Sequence, residues 1–485
     1  MNKDFSALKP ALVWKHFEAI CQIPHPSHHE EKIRQYIIDF AESHALPYEV
    51  DAANNIVIRK AATPGMEQRC GVVLQAHLDM VPQKNNDKEF DFLTDPIEAY
   101  IDGDWVTANG TTLGADNGIG VAATLAVLED DTLKHGPIEG LFTATEETGM
   151  DGAFGLQSGV LQGDILLNLD SETYGELYVG CAGGLDANIQ LPYASEPAPS
   201  GYKTFSLELK GLKGGHSGIQ IICQRANANR ELFRLLNHTS LDVRLASIDG
   251  GGLRNAIPRE AVAVVMVADA DCDNFLAEVA AFERLLVAEY QNIEDSITLQ
   301  AIPVAQPESV MTAESAARLA KMVIGLPNGV IKMSVEMEGL VETSSNLARV
   351  VSDGESVKIQ CLLRGSVNSE KLALGEALKG VAELAGASVV LSGDYDGWKP
   401  NMSSPILHTM KEIYKSLYGG EEPAVMAIHA GLECGIIGGK YPEMDMISFG
   451  PTIQSPHSPD ERVEIASVEK FYHFLTYTLE QIPSK

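Results

Sequence analysis

Five residues spread along this chain have the types from which a two-metal hydrolytic centre is built: His77, Asp116, Glu147, Asp170 and His457. Imidazole nitrogen and carboxylate oxygen are the donors zinc takes when it performs hydrolysis. Two such ions about 3.5–4 Å apart lower the pKa of water until hydroxide is available at neutral pH. Ions that close need one ligand that reaches both, and a carboxylate can bridge where an imidazole cannot. Asp116 is expected to be that bridge, because the glycines in Gly114-Ala115-Asp116-Asn117-Gly118 allow a tight approach. His77 and Asp170 are then assigned to one ion, and Glu147 and His457 to the other. Three carboxylates against two divalent ions leave about one positive charge, which a hydroxide cancels.

Two acidic residues stand beside these ligands. Glu146 adjoins Glu147 and is expected to act as general base toward the water, then as general acid toward the leaving amine. Asp79, two residues after His77, is expected to reach the far imidazole nitrogen and fix its tautomer. Each signal taken singly is commonplace. A Glu-Glu pair is often a solvated helix start, Asp116 alone could be an N-cap, Asp170 could be a turn residue, and His457 could be loop surface. Their joint order and chemistry carry the reading.

The elements that must position these residues are legible as hydrophobic patterns. Apolar positions three or four apart predict helices over 12–20 and 30–44 and a longer one after Asp116. Short β-branched runs predict strands at Asn55–Ile58, Gly71–Ala76, Ile138–Thr145, Ile165–Leu169 and Met446–Phe449. Strands alternating with helices imply an α/β class with a mostly parallel sheet. His77, Glu146, Glu147 and Asp170 each follow a predicted strand, and His457 follows another after a short loop. Open α/β sheets place their sites at the carboxyl ends of strands.

With 485 residues, two domains are the default, since one domain typically takes ~100–200. The stretch between Asp170 and His457 is too long for a loop and carries its own pattern: strands at 204–210 and 261–267 and a helix over 226–236. An α+β domain is therefore expected to be inserted at 187–400, splitting the catalytic domain into 1–186 and 401–485. Hinges are expected near Leu185–Tyr193 and Gly397–Met402. The insertion could be duplicated internally. Leu253–Pro258 leads into a strand at 261–268 and a helix at 274–288; Ser345–Ala348 leads into a strand at 357–363 and a helix at 369–384.

Apolar content of 45% and charged content of 21% are ordinary for a globular protein. The formal charge of −31 argues against nucleic acid or an anionic membrane surface as partner. The N-terminal stretch lacks an apolar signal core, and no run approaches a membrane span of about 18 residues, so a cytoplasmic protein is expected. Seven scattered cysteines without a CxxC pair make neither a disulfide framework nor a structural zinc motif. Most are expected to be small core residues.

Gln75-Ala76-His77-Leu78-Asp79-Met80-Val81-Pro82 resembles the first motif of the aminoacylase/carboxypeptidase-type metallopeptidases, a family that includes carnosinases and the tripeptidase T group. Thr112–Gly118 resembles the second motif and Thr145–Gly149 the third. The resemblance implies two zinc ions at His77, Asp116, Glu147, Asp170 and His457, with Glu146 as base and Asp79 orienting the metal site; cobalt or manganese are alternatives. Ala427–Gly435 and Gly214–Gly218 tighten the likeness to a bacterial dipeptidase branch. That branch implies hydrolysis of unblocked dipeptides, Xaa-His among them; the inserted domain is expected to close as a lid over a small cavity, so that longer chains are rejected.

Four further residues are candidates for handling substrate. His216, in a glycine-rich loop, matches a family histidine that stabilises the oxyanion; the alternative is a surface loop. Arg364, at a strand end, could grip the substrate carboxylate through two parallel hydrogen bonds. Asn255, before a strand, and His429, in a turn of the catalytic domain, could contact polar groups of the substrate. A homodimer is expected. The competing readings are an N-acyl amino acid deacylase or aminopeptidase on the same metal core, and a binding protein that retains the fold without chemistry.

Overall fold

Three short apolar runs form the centre of an eight-stranded sheet. Val72–His77, Ile138–Thr143 and Ile165–Asn168 are buried at every position, as strands covered on both faces must be. They run parallel, with Val72 level with Ile138 on one side and Ile165 on the other. Asp445–Ser448 adds a fourth parallel strand next to Ile165–Asn168. Ile56–Lys60 and Tyr48–Val50 extend one edge in antiparallel sense, and Glu176–Cys181 pairs antiparallel on the other side. The α/β class holds: four central strands run parallel, and edge strand Ala424–Ile428 lies beside Glu176–Cys181 with Ala424 N–H on the Gly175 oxygen and Ala182 N–H on the Ile428 oxygen. The computed structural model describes residues 3–485; Met1 and Asn2, which begin the stretch read for a signal core, lie outside them.

Register decides where the carboxyl ends fall. His77 is level with Thr143, Gln75 with Asn168, and Asn168 with Ser448. The segments that follow these strands therefore leave the sheet from one edge. Two of them pass so closely that only glycine fits: a first side-chain carbon on Gly450 would stand 1.7 Å from the Ser171 carbonyl oxygen. Helix Ala115–Glu129 is buried from Asn117 to Leu128, which its alanines and glycines allow, and it packs against helix Ala11–Cys21.

By packing, the chain divides into two units. The first reaches to Gly180 and resumes over Pro400–Ala427 and Leu432–Lys485; the second comprises Cys181–Lys399 with Ile428–Gly431. The segment expected as a hinge at Leu185–Tyr193 is instead mostly strand. Gly183–Pro192 is hydrogen-bonded on one side to Ser356–Gly365 and on the other to Ser388–Tyr395. A strand held on both edges cannot change its backbone angles without breaking two ladders.

The second unit is built on a nine-stranded sheet, antiparallel throughout its registered pairs. Val243–Gly251 pairs with Val341–Ser352 at its middle. Outward from that pair, the two halves carry the same order of parts. One runs Val243–Gly251, Ala261–Ala268, helix Cys272–Glu289 and outermost strand Thr298–Pro303; the other runs Val341–Ser352, Ser356–Gly365, helix Asn368–Leu384 and outermost strand Ser388–Tyr395. A large apolar cluster that includes Leu207, Phe233, Val265, Phe275, Ile359 and Leu378 fills most of this unit, and Ile221, Ile257 and Val341 form a small separate one. None of the seven cysteines is disulfide-bonded, and five are buried. Among the described residues no helix is long and apolar enough to cross a membrane.

Candidate metal centre

His77 is the last residue of its strand. Its Nδ1 lies 3.0 Å from the main-chain oxygen of Asp79, which keeps a proton on Nδ1 and makes Nε2 the atom that can bind a metal once its own proton leaves. The Asp79 carboxylate is further from Nδ1, at 3.4 Å. That carboxylate has other partners as well: Oδ1 accepts the N–H of Glu146 at 2.8 Å, and Oδ2 accepts the N–H of Glu147 at 3.2 Å and the Ser27 hydroxyl at 2.8 Å. Asp79 thus ties the His77 turn to the Glu146-Glu147 turn.

The five expected ligands come together. Asp116 Oδ1 lies 3.2 Å from His77 Nε2, and Asp116 Oδ2 lies 3.1 Å from His457 Nε2. Asp170 Oδ1 is 3.3 Å from His77 Nε2, and Glu147 Oε2 is 3.0 Å from His457 Nε2. Two triads result, His77-Asp116-Asp170 and Asp116-Glu147-His457, with the donor atoms of each within 4.8 Å of one another and Asp116 common to both. Glu146 joins His77 and Glu147 in a third such group.

The local backbone is shaped for this convergence. Asp116 and Asn117 keep non-helical angles at the head of their helix, so the Asp116 side chain is not carried round with the helical turn. Thr145, Ser455 and His457 have φ of 53°, 53° and 58°. Left-handed conformations in non-glycine residues cost energy and persist where surrounding contacts impose them.

Charge crowding defines the electrostatics. Burial, with Asp116 and Glu147 as like charges nearby, pushes the Asp170 carboxyl up to about 6. Hydrogen bonds donated to the Asp116 and Glu147 carboxylates raise His457 to about 11. Burial alone would lower His77, but Asp170, Asp116 and Asp79 outweigh it and hold it well above its usual value. The carboxylates thus draw protons onto the imidazoles, and divalent cations binding there would displace them. Glu147 Oε1 is buried without a hydrogen-bond partner, and all donors are the nitrogen and oxygen types that zinc accepts. The residues fit a pair of divalent ions.

Several supporting groups were not read from the sequence. Asn117 Nδ2 donates to Asp170 Oδ1 at 2.5 Å; its place beside Asp116 was the available signal. Beneath the centre, Gln75 Nε2 donates to Glu433 Oε2 at 2.5 Å, Thr143 Oγ1 donates to the same oxygen at 2.8 Å, and Asn168 Nδ2 donates to Gln75 Oε1. Burial pushes Glu433 up to about 7. These partners are far apart in sequence, so no local pattern announced them. Glu461 was also missed, four residues after His457.

Of the substrate candidates, His216, Arg364 and His429 meet in the second unit; His429 belongs there, not to the catalytic domain where the sequence reading put it. A first side-chain carbon on Gly218 would lie 2.1 Å from the His429 oxygen, 3.0 Å from His216 Cε1 and 3.1 Å from Arg364 Nε. His216 Nδ1 accepts the N–H of Gly218 at 3.2 Å and of Ile219 at 3.1 Å, so the neutral ring carries its proton on Nε2. Burial, with Arg364 as a positive neighbour, lowers its pKa. His429 Nε2 lies 2.7 Å from Ser344 Oγ, and burial with Arg364 and His216 nearby pushes it down to about 3. Arg364 is buried, and its Nε finds no hydrogen-bond partner. Asn255 is exposed; its main-chain oxygen accepts the N–H of Ser217 at 2.8 Å.

The chain has recognisable relatives. A model of peptidase family M20/M25/M40 matches residues 73–481. The cytosol non-specific dipeptidase of Escherichia coli (strain K12) is 49% identical over 484 residues, which cover 99% of this chain and 100% of that protein. The crystal structure of aminoacylhistidine dipeptidase from Vibrio alginolyticus is similar with a TM-score of 0.94 and 48% identity, over 100% of this chain and 99% of that one. The aminopeptidase PepT of Bacillus cereus, at a TM-score of 0.57 and 14% identity over 98% of this chain and 99% of that one, is alike in fold alone.

Proposed function

This chain belongs to peptidase family M20/M25/M40 and is an enzyme, a dipeptidase; from that premise we propose how its residues do the work and on what. The observation that carries the proposal is the pair of triads sharing Asp116. His77 and Asp170 would hold one divalent ion and Glu147 and His457 the other, with Asp116 available to both. Bound there, two such ions supply Lewis acidity and lower the pKa of water. Zinc is the first candidate for this donor set, with cobalt and manganese as alternatives.

Glu146 is the general base. Burial raises its carboxyl well above the usual range, and Asp170, Glu433 and Glu147 add to this as like charges against the opposing His77. A carboxylate made more basic in this way is suited to take a proton from water and return it to the leaving amine. Asp79 positions Glu146 and Glu147 by accepting their N–H groups. In the second unit, Arg364 is the group for the substrate carboxylate: a buried guanidinium with an unused Nε–H is costly until an anion meets it. His216 supplies an Nε2–H donor, and Asn255 and His429 contact polar groups of the substrate. The substrates are unblocked dipeptides, Xaa-His among them, as the name of the Vibrio alginolyticus relative supports. The name of the E. coli relative supports a cytoplasmic enzyme, and a homodimer is proposed with it.

Metal analysis combined with assays before and after chelation tests this. Ala-His and Gly-Leu should be cleaved only by metal-loaded protein, with N-acetylated amino acids and tripeptides turned over far more slowly. A dominant acylase or tripeptidase activity would overturn the substrate assignment, and activity that survives complete metal removal would overturn the site.

A further inference from the structure

The hairpin that carries His457 grips the Asp116 loop a second time. Its strands Ile453–Gln454 and Arg462–Glu464 pair antiparallel, and Arg462–Glu464 is fixed in turn against Trp105–Ala108. Early in the connecting loop, His457 Nε2 faces Asp116 Oδ2 at 3.1 Å. At its end stands Glu461, only 2% exposed. Its carboxylate accepts four consecutive main-chain N–H groups: Leu113 at 2.7 Å and Gly114 at 2.9 Å on Oε2, Ala115 at 2.8 Å and Asp116 at 3.2 Å on Oε1. Gly114, with φ of 73°, curls the chain so that successive N–H groups converge, and such a concavity binds anions. Glu461 is itself held, its carbonyl accepting the Thr107 hydroxyl at 2.8 Å and its N–H donating to Ser458 O at 3.0 Å.

An ordinary helix cap does not describe this contact. The bonded N–H groups extend from Leu113 to Asp116, and Asp116 and Asn117 have non-helical angles. What the carboxylate orders is the loop ahead of the regular helix, ending at the residue shared by the two triads. We propose that Glu461 is a positioning residue of the metal centre, holding the 113–116 main chain so that the Asp116 carboxylate faces both triads at once. The assignment deepens the di-metal reading above and rests on it. One loop then holds Asp116 from both ends, through His457 at the carboxylate and Glu461 at the main chain. A glutamine cannot replace the carboxylate, because its amide end would set N–H groups against two of the four N–H donors.

The test compares wild-type and Glu461→Gln full-length protein, stripped of metal and titrated with Co2+. Wild type should take up two ions. The variant should remain folded by circular dichroism, bind Co2+ about 10- to 100-fold more weakly with an altered visible absorption spectrum, and lose kcat over the same range. KM should move far less than kcat. A wild type that takes up two ions beside a variant of unchanged affinity and spectrum overturns the Glu461 assignment alone. A wild type that cannot take up two ions overturns the di-metal reading and this assignment with it. Hydrogen exchange on the unmutated, metal-free protein gives a measurement independent of how the variant folds. The Leu113–Asp116 amides should be protected like those of strand Val72–His77; exchange at the rate of exposed loop amides overturns the clamp.

Discussion

Glu146 and Glu147 are neighbours with different work. Glu147 Oε2 stands against His457, while Glu146 falls in the group with His77. Glu146→Ala should therefore keep two bound ions yet lose about 10²–10⁴ in kcat, the usual contribution of a positioned acid–base group. Metal stoichiometry measured beside turnover checks this, and a variant that loses its ions would reassign Glu146 as a ligand. Arg364→Ala should lower kcat/KM for dipeptides about 10- to 100-fold, because a charged hydrogen bond contributes about 1.5–3 kcal/mol. Arg364→Lys should recover only part of that loss, since an ammonium lacks the planar fork. Dipeptide amides, which lack the carboxylate, should be nearly indifferent to both changes; equal losses on both substrates would remove Arg364 from carboxylate binding.

Elements set the tolerances within which these residues act. The loops that leave strands Ile165–Asn168 and Asp445–Ser448 touch where Gly450 passes Ser171, next to Asp170. Gly450→Ala has no way to fit without moving a backbone, and a destabilisation of about 2–5 kcal/mol is expected, read as a lower denaturation midpoint. The contact between helices Ala11–Cys21 and Ala115–Glu129 includes a buried histidine. His16 Nε2 lies 2.8 Å from Glu129, and Tyr36 OH lies 3.2 Å from His16 Nδ1. Burial lowers its pKa from 6.5 to about 4, against the opposing charge of Glu129. In the unfolded chain His16 takes a proton below about 6.5, and in the folded chain only near 4. Its contribution is thus complete above pH 6.5 and is lost as pH falls toward 4, on the order of 3 kcal/mol in all. Unfolding titrations between pH 7 and 4.5 should show this slope, and His16→Asn should flatten it.

For the molecule as a whole, the metal pair is also a matter of stability. Asp116, Glu147 and Asp170 crowd one half-buried locus in a chain of net charge −31. Ions that bind only the folded state stabilise it by about 2.7 kcal/mol at a hundredfold excess over Kd. Chelation should abolish dipeptidase activity and lower the Tm by several degrees, and Zn2+ should restore both. An unchanged Tm on complete metal removal would separate the ions from folding.

The sequence by itself determined the chemistry and much of the scaffold. His77, Asp116, Glu147, Asp170 and His457 were legible because each follows a short apolar strand or sits in a glycine-rich motif. Parallel strands send their carboxyl ends to one edge of a sheet, so that pattern by itself implies convergence. Strand Val72–His77 and helix Asn368–Leu384 stand close to where periodicity put them, since a buried face imposes its period on the letters. Tertiary structure alone decided what depends on pairs remote along the chain. Glu433 beneath Gln75, Glu461 on the 113–116 amides and His429 beside Ser344 are contacts that no local pattern encodes. The Leu185–Tyr193 segment was misread for the same reason: a strand bonded on both edges and a linker differ in their neighbours, and neighbours are set by the fold.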